Sequence, residues 1–447
     1  MRSELEISFS RKKFLCIVLA LITIILIDTS VVKIYEIIDK DFAPSQLKIL
    51  LFSGEALLCL LLQFLLLKQV WNSFKTNQSH SRLQVRISLI SLSVLGTLIA
   101  IMIFQMYYFN QYSSFLTIAI IIISYGTATG FIIWLSWMFL SWYRSTHKFI
   151  IFLYFMSMSL IAFNLIVTAA FASAKVTDRP DQIGVYVGGS GDISGGRYII
   201  LDIIYRISSF TSFIGIWLTT AILMTYYREK LLNTITYWII MLIPLVYFVI
   251  TYFYQFILGS ALSSYLESDP VTFSIVLVAF LSLSKPIGGL IFGIAFWNTA
   301  RTVSYEKKIR TCMLISGWGI FLIFAANQGV TQQTTPFPPF GIPTITVLNI
   351  AAYLVLLGIY NSAKLVSVNN NLRKSIYKHA VESKMLHLIG HAEMEKEIQN
   401  TVTKIIQSQK NMEEEREVGL ELDQDELRKY LDVVIREVKK DDKPSIP

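Results

Sequence analysis

The chain has 447 residues, 54% hydrophobic and only 16% charged, with a formal net charge of +8. Length alone would allow two or three water-soluble domains, but that apolar fraction and a mean hydropathy of +0.55 exclude them. The excess charge is no nucleic-acid footprint: residues 1–366 hold 25 basic against 15 acidic residues, residues 367–447 hold 14 against 16, and the first set lies between apolar segments.

Ten mostly apolar runs have about the length a helix needs to cross roughly 30 Å of hydrocarbon. They lie near 14–36, 47–67, 87–108, 115–142 and 149–172, then near 198–226, 234–258, 271–297, 311–327 and 344–366. The first is too long for the apolar part of a cleaved signal peptide and no A-x-A-like site follows it, so it reads as a retained anchor. The ninth is short and contains Gly317 and Gly319. Cys16, Cys59 and Cys312 all fall inside crossings, where they pack as small apolar residues and form no external disulfide framework.

Lysine and arginine stay on the cytoplasmic side of short loops during insertion. The amino-terminal segment and the even connections carry Arg2, Arg11, Lys12, Lys13, Lys68, Lys75, Arg82, Arg86, Arg144, Lys148, Arg228, Lys230, Arg301, Lys307, Lys308 and Arg310, with Lys364 at the last exit. The odd connections hold only Lys33, Lys40, Lys48, Lys175, Arg179 and Arg197. The expected topology therefore has ten crossings with both termini in the cytoplasm, and the expected location is the plasma membrane. The domains are a membrane part over 1–366 and a cytoplasmic tail over 367–447.

Two external connections are long. Residues 173–197 contain Gly184, Gly188, Gly189, Gly191, Gly195 and Gly196 but lack the G-x-x-x-x-G-K-[ST] spacing of a phosphate cradle, so a plain loop is expected. Residues 328–343 contain Pro336, Pro338, Pro339 and Pro343 around two phenylalanines; such a loop caps a cavity or simply connects two helices. Two sets of five crossings are compatible with an inverted-repeat transporter, although no internal similarity supports one. The best helix break is Lys285-Pro286-Ile287-Gly288-Gly289.

The tail is charged and helix-favouring from about 369 to 417, with apolar Ile398, Val402, Ile405 and Met412. Those two heptads suggest pairing with something and are fewer than a firm coiled coil takes. A second short helix reads from Asp423, with Glu426 at the capping-box position. An apolar stripe must be buried, so the tail is expected to bind itself, a second copy or a protein partner.

Ionisable side chains are costly to hold inside a bilayer and are functional candidates there. Five qualify: Asp28, Glu55, Asp202, Arg206 and Lys285. Asp202 and Arg206 share a helix face at i and i+4. Four of the five cluster in depth within the outer half, so they line one outward-facing polar pocket or form two internal salt bridges, Asp202 with Arg206 and Glu55 with Lys285. On the tail, His387, His391 and Glu395 share a face, with His379 two further turns away. Two histidines at i and i+4 can grip a metal, but H-A-E-M-E is not H-E-x-x-H, and a solvated helix face is the plainer reading. No catalytic residues, cofactor site or metal site are assigned.

The run Ser383-Lys384-Met385-Leu386-His387-Leu388-Ile389-Gly390-His391-Ala392-Glu393-Met394-Glu395-Lys396-Glu397-Ile398 resembles a stretch after the last crossing in uncharacterised polytopic membrane proteins of ammonia-oxidising archaea. The resemblance covers only this tail segment; it implies an archaeal plasma-membrane protein and carries no activity. The sequence thus predicts an all-α membrane protein, a bundle of about ten transmembrane helices with a helical cytoplasmic tail. Its expected function is a non-enzymatic sensor or signalling scaffold, and the other reading is a secondary transporter of a small solute or ion. The low overall glycine content weighs against the transporter.

Overall fold

In hydrocarbon a chain can satisfy its own N–H and C=O groups only as a helix or a closed barrel, and long apolar runs without strand alternation leave the helix. The computed structural model describes residues 11–31, 45–73, 79–178, 199–230, 233–252, 270–303, 306–327, 338–368 and 384–414, and no strand occurs among them. In chain order the helices are α1 (Arg11–Leu26), which ends in a π-helical turn (Ile27–Val31), α2 (Ser45–Ser73), α3 (Ser79–Phe109), α4 (Ser114–Thr146) and α5 (Phe149–Asp178). Then come α6 (Ile199–Lys230), α7 (Thr234–Tyr252), α8 (Pro270–Thr302), α9 (Lys307–Ala326), α10 (Ile342–Val368) and α11 (Lys384–Glu414).

Each of the ten apolar segments falls on one of α1 to α10. Among the described residues, eight of these helices (α2 to α7, α9 and α10) are long and apolar enough to cross a membrane. The remaining two are α1, with 16 residues before its π turn, and α8, which carries Lys285 and Pro286. The suspected break at Lys285–Gly289 is absent: α8 runs through Pro286 as one helix. Of the two glycines that follow, Gly288 seats the Phe213 ring and Gly289 abuts the Phe321 backbone and Phe324 Cβ of α9, so neighbours hold the helix where proline removes a backbone donor. The short ninth segment is a 20-residue helix, largely buried. The glycine-rich loop beyond Asp178, residues 328–337, His379 and the helix read from Asp423 lie outside the described residues.

Helix α10 is the axis of the bundle. Every residue from Ile342 to Ile359 is buried, and α1, α2, α3, α4, α9 and α11 all pack on it. Chain neighbours pack in sequence as α4 on α5, α5 on α6, α8 on α9 and α9 on α10. Contacts at the helix ends set α1 antiparallel to α10 and α4 parallel to it. The π turn that ends α1 meets the start of α10, and the ends of α4 and α10 both meet α11. At the opposite end of α1, Arg11 lies beside Arg310 of α9; burial and then that like charge lower the Arg11 pKa.

Lipid tails give no hydrophobic drive for helices to associate, so close contact needs small residues. Here five of the described glycines, Gly289, Gly293, Gly317, Gly319 and Gly358, lie on one seam. A Cβ at Gly293 would lie 2.9 Å from the Gly317 carbonyl oxygen, and one at Gly317 would lie 2.9 Å from the Gly293 carbonyl oxygen. At the α9–α10 contact, a Cβ on Gly319 would meet the Ala351 oxygen at 2.9 Å, and one on Gly358 the Cys312 oxygen at 2.5 Å. The backbones of α8, α9 and α10 therefore touch. A total glycine count could not reveal this, and it loses its force against the transporter reading.

The first turns of α11 are seated on the bundle. Leu386, Ile389, Ala392, Glu393 and Met394 are buried, Gly390 abuts Val366 of α10, and the Trp142 indole N–H of α4 donates to Glu393 Oε2 at 2.6 Å. The Ser145 hydroxyl donates to the Ala392 carbonyl at 3.5 Å. Among the described side chains further along, Gln399, Asn400, Thr401, Thr403, Lys404 and Gln407 are exposed and Val402 is half-buried.

Candidate functional site

Two polar clusters of the bundle contain the candidate residues. The first is built by the end of α1. Asp28 and Thr29 sit in the π turn, where the Thr29 hydroxyl donates back to the Ile25 carbonyl at 2.6 Å. Short polar side chains of this kind compete with the helix ladder, and π turns inside helices often mark functional positions. The turn delivers a fully buried Asp28 carboxylate to the first turn of α10.

There every backbone donor is accounted for. Gly341 N–H donates to Asp28 Oδ1 at 2.6 Å; Thr344 N–H and its hydroxyl donate to Oδ2 at 3.1 and 2.5 Å. Ile342 N–H donates to the Pro339 carbonyl, and Pro343 has no N–H to satisfy. Gly341 sits at φ 91°, a left-handed conformation that a side chain disfavours, which turns its N–H toward Asp28. The positive end of the α10 dipole and three donors thus hold one carboxylate. Described residues of the proline-rich connection seal this end: Pro338, Pro339 and Phe340 are buried, and Phe340 meets Phe52 edge-on at 5.8 Å.

One stripe of α2 completes the cluster. Glu55 lies within electrostatic reach of Asp28, and its Oε1 is buried without a hydrogen-bond partner. One turn on, the Cys59 thiol donates to the Pro343 carbonyl at 3.4 Å. Another turn on, Gln63 donates to Thr346 Oγ1 at 2.8 Å and to Cys59 Sγ at 3.3 Å, while its Oε1 has no partner. Sequence reasoning singled out Glu55 and took Cys59 for packing; the spacing 55, 59, 63 was the available signal for the rest.

The second cluster surrounds Lys285. Its ammonium is buried, donates to the Tyr205 hydroxyl at 3.2 Å and lies 5.6 Å from that ring's centroid. No ion pair joins Lys285 to Glu55 or to any other carboxylate among the described residues. Tyr205 stacks on Phe171 at 4.5 Å, and Lys175 Nζ lies 4.5 Å over the far ring. Nearby runs a chain of buried side chains from four helices. The Tyr125 hydroxyl donates to Asn327 Oδ1 at 3.0 Å, Asn327 Nδ2 to Asn164 Oδ1 at 3.3 Å, and Asn164 Nδ2 to Ser208 Oγ at 3.2 Å. Ser208 in turn donates to the Tyr205 carbonyl at 3.0 Å. Asp202 and Arg206 pair with each other at 2.8 Å and remain partly exposed, flanking Tyr205 in sequence.

The five candidates therefore divide: Asp28 and Glu55 meet at the start of α10, whereas Lys285 joins Tyr205 beside the Asp202–Arg206 pair. On the tail, His391 Nδ1 lies 3.4 Å from Glu395 Oε1. Among the described residues, no three His, Cys, Asp or Glu side chains are grouped to hold a metal ion. Together the helices define a polytopic helical membrane protein with two polar clusters in its interior. No protein-family model, curated protein or solved structure matches the chain.

Proposed function

We propose that this is a non-enzymatic sensor or signalling scaffold of the plasma membrane, crossing it ten times with both termini in the cytoplasm. One observation carries the reading: a single buried helix, α10, is gripped at its start by Asp28 and abuts the tail helix α11 near its end. Its 27 residues span about 40 Å. A stimulus that changes the Asp28–Glu55 cluster biases the position of α10, and the seat of α11 changes with it. The later part of α11 then presents half-buried Ile398 and Val402 to a protein partner or a second copy. Such coupling is a free energy shared between the two ends and acts in both directions.

The secondary-transporter reading is favoured by one specific feature, the glycine seam that lets α8, α9 and α10 touch backbone to backbone. It assigns the tail no role in transport.

The seat can be tested directly. A Cβ at Gly390 would lie 2.6 Å from Val366 Cβ and closer still to its Cγ1. Overpacking of this kind costs about 1–3 kcal/mol. Gly390→Ala should therefore shift the docked-to-undocked ratio of α11 about 5- to 150-fold. Limited proteolysis of the full-length protein in nanodiscs should cleave within 384–414 faster, while the bundle melts as before. Unchanged cleavage would remove the seat from the account.

A further inference from the structure

We infer that the Lys285 cluster is a binding site for a small anion, a halide or a ligand carboxylate group, held by Lys285 and Tyr205 with Asn164 and Asn327 in support. The argument begins with charge. An ammonium buried in a bundle interior needs a counter-charge or full hydrogen bonding. Lys285 has three N–H donors and one described acceptor, the Tyr205 hydroxyl. Since that oxygen accepts from Lys285, the Tyr205 proton is left to donate elsewhere.

Donors also outnumber acceptors along the adjoining chain. Asn327 and Asn164 each use one amide proton within it, leaving each a second. The charge beside Tyr205 is net positive. Lys175, Arg206 and Asp202 lie within electrostatic reach of one another and Lys175 within reach of Tyr205; Asp202 and Arg206 pair together, which leaves the Lys175 charge beside the Phe171–Tyr205 stack. Tyr125 is likewise within reach of Tyr205, which brings the Asn327 end of the chain to the same place. Lys285, Tyr205 and Phe171 are all buried, so little water competes there. A concentration of buried donors and cations short of acceptors is the chemistry of an anion site.

The inference does not depend on tail signalling, and its test reads binding alone. Thermal unfolding of the full-length protein in detergent is followed against sodium chloride and, separately, sodium acetate. General salt effects are common to all variants, so differences between variants isolate the site. Wild type should show a saturable rise in melting temperature with at least one of the two anions. Lys285→Met should weaken the apparent affinity at least about 30-fold, as removal of one member of a buried charge pair does, and Tyr205→Phe should weaken it less. Should Lys285→Met fail to fold, Lys285→Arg and Tyr205→Phe decide: the first retains a saturable response and the second weakens it. Wild-type curves without saturation, or curves for wild type and Tyr205→Phe that coincide, would overturn the inference.

Discussion

Asp28→Ala should lower the stability of the bundle by about 3–5 kcal/mol, measured by thermal or SDS-induced unfolding in detergent. The substitution leaves the Gly341 and Thr344 N–H groups and the Thr344 hydroxyl buried without an acceptor. Each orphaned buried group costs about 1–3 kcal/mol, more when its lost partner was charged. Water relieves part of that loss, which keeps the total below the sum of the three. Asp28→Asn keeps the shape and one acceptor oxygen, so it should lose only about 1–2 kcal/mol. Equal losses for the two variants would mean that packing, rather than the three hydrogen bonds, makes Asp28 matter.

Gly358→Val should destabilise the bundle by about 3 kcal/mol or more in the same assay. Its Cβ would stand 2.5 Å from the Cys312 carbonyl oxygen and nearer to Ser316 Oγ. Overpacking in a core typically costs about 1–3 kcal/mol because side chains can shift. Here the obstacle is the backbone of α9, and relief requires α9 and α10 to separate along their whole contact. Gly54→Val supplies the control: a Cβ on that glycine of α2 would meet nothing within 4 Å, so the change there should be small. Similar losses at the two glycines would argue against backbone contact as the basis of the seam.

Those two positions also mark where the sequence stopped being informative. Helices α1 to α10 were legible because apolar length and flanking charge are local properties of the chain. Asp28 and Glu55 were legible as candidates because an ionisable group in an apolar run stands out on its own. Their partners were not: Asp28 is held mainly by backbone N–H groups of residues more than 300 positions away, and no side-chain pattern announces an N–H. The pairing of Glu55 with Lys285 followed from depth alone, and depth says nothing about which helices are adjacent. Tyr205, Asn164 and Asn327 escaped notice because tyrosines and asparagines are unremarkable singly and act here only as a chain across helices. The seat of α11 had a signal in the small residues Gly390 and Ala392, masked by the charged residues around them.

The central claim is that α10 links the Asp28 cluster to the tail. Hydrogen exchange over residues 384–395, compared between wild type and Asp28→Asn in nanodiscs, tests it most directly. Asp28 touches no residue of α11 in any described contact, so any effect must travel through the bundle. The account predicts faster exchange in that segment of the variant, with α7, which makes no extensive contact with α10 among the described residues, unchanged. Identical exchange over 384–395 in the two proteins, with Gly341–Thr344 loosened as expected, would contradict it.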